Sequence, residues 1–526
     1  MIQPRHILAA ALVPTLLCVG IVHALPAPDD AAQVVGTRLA TGMSYASAVQ
    51  LAHQRTATDN GRMLMVFEVA GQPSLPLYES RNEGEHWKQI GQIADQTHGG
   101  SPHWSLHWQP HLSELTRDSG DLPAGTVLLA ANAIERDDQQ RITAQDMQLY
   151  TSSDAGKTWR YRSSIVKGAG QPSDRLNGGV WEPYIVVLED GRMVAFYSSE
   201  RHKRQGFNQL LAHKVSADGG RTWGEEVFDV ALPGGVERPG MAVVTRLPSG
   251  GYAMVFENID NTDGPRSGQV SIKFSRDGLA WNASDRGTGI QTASGAWPSA
   301  CPMIRWLPGE TPDGVLIVAA QRAGGGGDVA GRTFYRNDTG GRGPWWETVA
   351  PVQKRTGNTH AGWTQVLLPR SDGTLLHVTS SSSAATPGVD ADNEILYASA
   401  PLALNRYEAE DARRRRVAQI EDRTASAGRK VRVASGDDAD LGFRIQRGKA
   451  GRYRLRVRYA DIGFAAVPQV RVNGQLLSAP AAVAPAKGWH EAQYAATLRA
   501  GANDVIVSNP SQALDYDYIA LEPASP

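Results

Sequence analysis

Six times along this chain a polar or aromatic entry leads into a short apolar run, a Gly-containing turn and a second apolar run. The repeats begin near Ser44, Trp104, Trp181, Arg238, Trp297 and Trp363. Their second runs are Met63–Glu68, Thr126–Ala131, Met193–Tyr197, Tyr252–Glu257, Val315–Ala320 and Thr374–Thr379. These runs are rich in Val, Leu and Met and are bounded by Gly, Pro and Asp. They read as strands, because helical periodicity is scarce. The clearest copy is Ile185–Leu188, the turn Glu189-Asp190-Gly191-Arg192, and Met193–Tyr197. Asp-Gly between two apolar runs is a strong hairpin signal. Starts about 60 residues apart are long for a solenoid but suit four-strand propeller blades with long loops. The expected fold is all-β, with a six-bladed β-propeller over residues 35–400.

A second motif falls between these hairpins. Ser152-Ser153-Asp154-Ala155-Gly156-Lys157-Thr158-Trp159 and Ser216-Ala217-Asp218-Gly219-Gly220-Arg221-Thr222-Trp223 are full copies. Ser80–Trp87 carries Asn82 for the Asp, and Ser275–Trp281 is one residue shorter. Asp or Asn bonds nearby backbone N–H groups, Gly supplies positive φ, and Trp packs under the blade. The motif resembles the Asp-box of sialidase-like propellers, where it is structural. It is therefore given no catalytic role here.

Topology then limits where chemistry can sit. The innermost strand of a blade enters at the ligand-binding face and the second strand ends there. A turn between third and fourth strands lies on the opposite face, which is where the Asp-box motif belongs. The upper face is thus built from first-strand entries and second-strand exits. Entries supply Tyr45, His103, Trp104, Trp181, Glu182, Glu237, Arg238, Trp297, His360 and Trp363. Exits supply Glu68, Glu200, Arg201, Glu257, Asn258, Gln321 and Arg322. Carboxylates, arginines and indoles converging on one depression suit a sugar. Glycoside hydrolysis needs two carboxyl groups across the scissile bond. Glu182, between Trp181 and Pro183, is partly desolvated, which raises a carboxyl pKa as a general acid requires. Glu257 is the first choice of partner and Glu237 the second, with Arg238 able to hold Glu237 as an ion pair. Trp181, Arg201, Arg238, Trp104, Trp297, Arg322, His360 and Trp363 are the candidate substrate contacts. The arginines serve equally as structural ion pairs and the indoles as packing between blades. His103, His107 and His360 lack metal-ligand spacing. Gly324-Gly325-Gly326-Gly327 is expected to be a flexible loop, without the strand–helix context or Lys of a phosphate loop.

Trp181-Glu182-Pro183, Arg238-Pro239-Gly240-Met241 and Met254-Val255-Phe256-Glu257, interleaved with the Asp-box motif, resemble the six-bladed exo-arabinanases of glycoside hydrolase family 93. The resemblance spans roughly residues 40–400. It implies a retaining enzyme that removes arabinobiose from the non-reducing end of α-1,5-L-arabinan. It makes Glu182 the acid/base and Glu257 the nucleophile. The family's tyrosine beside the nucleophile has Tyr335 as its candidate in this chain. The Ala46-Ser47-Ala48 entry of the first repeat departs from the family pattern. Two rivals remain: an exo-sialidase on the same propeller, although the Arg-Ile-Pro entry of sialidases is absent, and a propeller that only binds glycan or protein.

After Leu404 the pattern changes, and residues 405–526 read as an antiparallel β-sandwich of jelly-roll type. Gly451–Tyr459 alternates as a half-buried strand, and Gln469–Val472 runs into an Asn473-Gly474 turn. Arg413–Arg416 is either a polyanion patch or a solvated basic run beside Glu408, Glu410 and Asp411. Tyr407-Glu408-Ala409-Glu410, Val472-Asn473-Gly474, Gly501-Ala502-Asn503 and Asp515-Tyr516-Asp517-Tyr518-Ile519 are similar, in order, to carbohydrate-binding modules of families 6 and 35. That resemblance implies a structural calcium on Glu408, Glu410 and Asp517, and sugar contacts at Trp489 and Asn509. Hard oxygen ligands in a cluster are what Ca²⁺ requires. No cofactor is expected for catalysis.

The ends and the charge balance complete the expectation. Arg5 and His6 precede an apolar stretch, Ile7–Val22, and Val22-His23-Ala24 resembles a cleavage site, so residues 1–24 read as a secretory signal. The mature chain is expected to be secreted or periplasmic, with no membrane association after cleavage, and monomeric. It keeps only Cys301, read as a small buried residue, and so has no internal disulfide. Lys and Arg number 53 against 54 Asp and Glu, which argues against nucleic-acid or anionic-membrane partners and leaves a polysaccharide or oligosaccharide as the expected one.

Overall fold

The structure is a computed structural model and describes residues 34–170, 178–260, 264, 266–356, 360–382, 393–426, 428–460, 466–480, 488–509 and 511–524. The expected signal, residues 1–24, lies outside them. Among the described residues there are six four-stranded antiparallel sheets in the first part of the chain and a two-sheet sandwich in the second. No helix in the described residues is long and apolar enough to cross a membrane.

Each of the first five sheets runs from axis to rim in chain order. Blade 1 is Met43–Gln50, Met63–Val69, Ser74–Ser80 and Lys88–Ala94; blade 2 is Trp104–Glu114, Val127–Arg136, Ile142–Ser152 and Arg160–Ala169. Blade 3 is Val180–Val187, Met193–Ser199, Leu210–Ser216 and Val227–Val230; blade 4 is Glu237–Arg246, Tyr252–Asp260, Val270–Ser275 and Thr288–Gly289. Blade 5 is Met303–Leu307, Val315–Ala319, Thr333–Asn337 and Trp346–Val349, extended on the ligand side by Trp297–Ser299 paired with Arg322–Gly324. Blade 6 is Gln365–Pro369, Leu375–Ser382 and Asn393–Ala400, and its rim strand is Thr37–Thr41 from the start of the chain. That borrowed strand closes the ring, and blade 1 packs on blade 6 as on blade 2. Second strands are buried along nearly their whole length, as in Met63–Val69 and Met193–Ser199, because each blade is sandwiched between two others. That is why these strands read as continuous apolar runs.

The four motif turns, three with Asp and one with Asn82, lie between third and fourth strands. Ser152 Oγ accepts from Gly156 N at 2.9 Å, Asp154 Oδ1 accepts from Thr158 N at 2.9 Å, and Trp159 Nε1 donates to Gly156 O at 3.0 Å. Ser216–Trp223 repeats the first two bonds. Blade 5 carries a related turn that the sequence pattern does not reveal. Asn337 stands where Ser is expected, and its Oδ1 accepts from Thr339 N and Gly341 N before Trp345.

The sandwich packs two sheets face to face. One runs Val417–Glu421, Arg429–Val433, Leu514–Pro523, Gly451–Ala460 and His490–Leu498, with Arg406–Glu408 also on Leu514–Pro523. The other runs Arg413–Arg415, Asp440–Arg447, Gly501–Ser508, Gln469–Val472 and Gln475–Leu476. Strand Gly451–Ala460 alternates between exposed and buried positions. Asn473 and Gly474 both take positive φ (49° and 86°), as a two-residue hairpin turn requires. Of the basic run, Arg413 and Arg415 pair with Asp440, and Arg416 pairs with Asp438.

The two units share a core. Trp346, on the rim strand of blade 5, is buried in the sandwich against Tyr407 and Phe443, at ring separations of 5.0 and 6.2 Å. Arg336 stacks over Tyr407, and Arg429 reaches back to Glu347 at 2.8 Å.

Candidate active site

The site grows from one backbone irregularity repeated around the ring. In blades 1 to 4 the register of the innermost pair shifts near the upper face, between Ser44 and Ser47, Trp108 and His111, Trp181 and Tyr184, and Gly240 and Val243. At each shift one non-glycine residue takes a left-handed φ: Tyr45 (49°), Gln109 (54°), Glu182 (54°) and Met241 (56°). Cys301 (47°) continues the series in blade 5, and in blade 6 Gly362 (76°) precedes Trp363. An extra residue in one strand turns its side chain away from the ladder, which here is toward the axis. Tyr45, Met241, Cys301 and Trp363 accordingly form one apolar cluster. Left-handed conformations at non-glycine residues are strained and concentrate at functional sites.

A second ring supports the first. The second-strand residue facing each shift is polar: Glu68, Asn132, Ser198, Glu257, Gln321 and Ser380. Several of them accept the N–H of the shifted residue in the next blade. Glu68 Oε1 takes Gln109 N at 2.7 Å, Ser198 Oγ takes Met241 N at 3.1 Å, and Glu257 Oε2 takes Cys301 N at 2.7 Å. Between blades 2 and 3 the link runs through Gln109 Oε1, which accepts from Glu182 N at 2.9 Å and Asn132 Nδ2 at 2.9 Å.

Glu182 and Glu257 occupy these two rings in adjacent blades. Ser198 Oγ donates to Glu182 Oε2 at 2.5 Å while accepting from Met241 N. Glu257 Oε1 lies against Gly240, where an added Cβ would stand 3.3 Å from it. The carboxyl groups therefore flank the dipeptide Gly240-Met241. Burial pushes Glu182 up to about 7, the charge of Glu257 adds to the rise, and the Ser198 bond opposes it. Burial also raises Glu257, against the Cys301 N–H and the Arg238 charge. The guanidinium of Arg238 pairs with buried Glu200 at 2.7 Å, and the charges of Glu182 and Glu257 both act on it. Below the upper ring an axial channel of about 410 Å³ runs between the inner strands, from Tyr45, Glu182 and Trp363 toward His53 and Glu114. Glu182 stands at its mouth, whereas Glu257 is set back behind Met241 and Cys301.

The remaining candidates are spread around this centre. Glu237 is held by Arg286 and by Asn258 Nδ2, not by Arg238. Trp181 is buried with its ring 5.5 Å from Trp108, an indole the sequence reading passed over. Trp104 stacks on His98 at 3.6 Å, and His360 packs on Trp363 at 3.7 Å. Trp297 is buried beneath Gly324. Arg322 is part-buried near Cys301, and its Nε has no hydrogen-bond partner. Arg201 turns to Glu226 at 3.5 Å. Tyr335 does not neighbour Glu257. It is buried in the third strand of blade 5, among the charges of Glu347, Asp411 and Arg429, because its alternation places it in the core between blades. Gln109, Ser198, Tyr45 and Cys301 complete the centre. Pro after Gln109, Glu182 and Cys301 is the sequence signal that would have found two of them.

In the sandwich, Ser426 Oγ donates to Glu408 Oε2 at 2.6 Å or Asp517 Oδ1 at 2.7 Å, so one hydroxyl spans the two carboxylates. Arg406 and Arg458 also contact them. Both oxygens of Glu410 are buried without a hydrogen-bond partner, and burial pushes its pKa well up. Oxygen donors with unmet valence fit a hard cation, although among the described residues no three such side chains converge as a formed ligand set. Trp489 is half-buried beneath Arg458, whose guanidinium lies 4.8 Å from its ring, and donates to Thr424 Oγ1. Asn509 is buried, and its Oδ1 caps the turn at Ser511.

No protein-family profile and no curated protein sequence matches the chain. Solved structures do. An α-L-arabinanase of Penicillium chrysogenum complexed with arabinobiose is 25% identical, with 70% of this chain and 96% of that one covered and a TM-score of 0.57. The GH93 α-L-arabinofuranosidase of Fusarium graminearum with arabinobiose is 21% identical, with 70% and 98% covered and a TM-score of 0.58. A family 35 carbohydrate-binding module from Clostridium thermocellum matches 23% of the chain at 25% identity with a TM-score of 0.20. The chain thus has the propeller fold of these glycoside hydrolases.

Proposed function

We propose that the protein is an exported, monomeric, retaining exo-glycoside hydrolase that releases arabinobiose from α-1,5-L-arabinan. The observation that carries this reading is the pair Glu182 and Glu257 flanking the single dipeptide Gly240-Met241. A retaining enzyme needs its two carboxyl groups about 5–5.5 Å apart and an inverting one about 6.5–9.5 Å, and the retaining outcome in this reading comes from the family resemblance. Glu182, held up to about 7, keeps a proton to give to the leaving oxygen. Glu257 attacks the anomeric carbon as carboxylate, with the Cys301 N–H on its other oxygen and the Arg238 charge nearby. Glu182, then ionised, takes a proton from the water that opens the glycosyl ester, which restores both groups. Both similar structures hold arabinobiose, which supports the sugar.

The secretory signal at residues 1–24 belongs to this reading, since the polymer is extracellular. So does a structural calcium at Glu408, Glu410 and Asp517, supported by the buried Glu410 oxygens, which have no hydrogen-bond donor and only Arg429 Nε at 3.6 Å from Oε1. Incubation with linear arabinan, arabinogalactan, xylan and a sialoside tests the substrate, and proton NMR of the first product tests its anomeric configuration. Arabinobiose of retained configuration from arabinan alone is expected. Sialic acid release, or arabinan binding with no product, would replace the reading.

A further inference from the structure

The C-terminal unit does more than sit beside the propeller. The loop expected to be flexible, Gly324–Gly327, is held at its tip by the sandwich. Arg429 Nη1 donates to Gly326 O, and Gln419 Nε2 reaches the same oxygen at 3.5 Å. A second loop, just before Trp297, is held too: Arg414 Nη2 donates to Ser294 O at 2.8 Å, and Arg414 Nη1 donates to Gln419 Oε1 at 2.9 Å. The two loops press on each other. A Cβ on Gly325 would stand 2.0 Å from Gly295 O, and one on Gly324 would stand 2.3 Å from the Trp297 ring. Both loops belong to the upper face, where Trp297–Ser299 pairs with Arg322–Gly324 just above the left-handed Cys301. Their strands present Trp297 and Arg322, and Arg322 lies near Cys301, whose N–H holds Glu257.

Backbone carbonyls at loop tips normally face water. Here two of them are satisfied by guanidinium groups from another folding unit, which are strong donors. We infer that the sandwich is a positioning element of the active site, in which Arg414, Gln419 and Arg429 fix the two upper-face loops of blade 5 over buried Trp297 so that Arg322 meets the sugar. Arg414 and Gln419 are positioning residues; neither touches the substrate. The inference rests on the hydrolase reading for its substrate, but its structural half stands alone.

The test uses the full chain. Arg429 is unsuitable, because its loss strands buried Glu347. Arg414→Ala and, separately, Gln419→Ala are compared with wild type by hydrogen–deuterium exchange of peptides covering 290–300 and 320–330, and by steady-state kinetics on linear arabinan. Expected for Arg414→Ala are faster exchange in both peptides and a KM raised roughly three- to tenfold with little change in kcat, as loss of one charge-assisted hydrogen bond implies. Arg414→Lys, which keeps a donor, should recover part of the KM. Gln419→Ala should show the smaller effect. Unchanged exchange in the two peptides overturns the inference, and so does faster exchange with an unchanged KM. If wild type does not cleave arabinan, the hydrolase reading fails and the exchange data alone decide the clamp.

Discussion

Two groups of buried carboxyls stand in this protein, and they differ in what surrounds them. In the propeller, Glu182 stands at the mouth of a depression on a strained ring position and Glu257 is set back on a polar one, with a single guanidinium, Arg238, acting on both. In the sandwich, Glu408, Glu410, Asp411 and Asp517 are sealed beneath strands, with Arg406, Arg429 and Arg458 against them. Burial raises Glu182, Glu257, Glu408 and Glu410 alike. A perturbed carboxyl is therefore not evidence of catalysis by itself. What separates the groups is Glu182, which lines the axial channel with its backbone in left-handed φ; none of the sandwich acids does either.

The sharpest break between them is functional. Glu257→Gln should lower turnover of linear arabinan by roughly 10²–10⁴-fold without lowering Tm, because it removes a reacting group and a buried charge together. Glu410→Gln should leave turnover within about threefold, since it lies far outside the site. Parallel kinetics and thermal melts read both. Next comes the shared core. Trp346→Ala should cost about 3–5 kcal/mol in urea unfolding, because it empties a large site in the sandwich from a propeller strand. Two separate transitions in that variant would show that this indole carries most of the coupling between the units.

Calcium should distinguish the groups in the opposite direction. A hundredfold excess over its Kd should stabilise wild type by about 2.7 kcal/mol. Glu410→Gln should lose most of that gain, whereas Glu257→Gln should keep it. Of similar size is the pH dependence of stability. Glu182 titrates near 4.5 in the unfolded chain and near 7 when folded, so between those values the unfolded state has released a proton the folded state keeps. Stability from this group is full below the lower value and is lost as pH rises through the window. Glu182→Gln should flatten that slope in denaturant titrations, and the basic limb of the wild-type rate profile should fall near pH 7. Within the propeller rings the least effect is expected from Glu68→Gln, which occupies the ring position of Glu257 in blade 1. Its oxygens accept from Gln109 N and Ser44 Oγ, so it should change turnover less than about tenfold.

Much of this was readable from residue order, and the reason is local. The blades show because second strands are buried on both faces and so are continuously apolar. The turns at Ser152 and Ser216 show because Ser, Asp, Gly and Trp each meet a fixed bond. Asn337 escapes because a side-chain amide replaces two of those groups at once. The rim strand Thr37–Thr41 escapes because its partner is Asn393–Ala400, more than 350 residues away in sequence. Glu182 and Glu257 were found as acids at strand ends. Gln109, Ser198 and Cys301 were not, because their roles come from a register shift that no residue type announces. Tyr335 was misplaced because one-residue alternation decides which face a strand side chain takes. The Gly324–Gly327 loop looked free because the side chains that hold it, Gln419 and Arg429, lie 93 and 103 residues onward from Gly326.

The central claim is that the carboxyl of Glu182 transfers the proton that breaks the glycosidic bond. Arabinobiose release from linear α-1,5-L-arabinan by wild type and by Glu182→Gln, with matched circular dichroism, tests it directly. The account predicts steady release by wild type and a loss of roughly 10²–10⁴-fold in the variant. Equal release by the two proteins would contradict it.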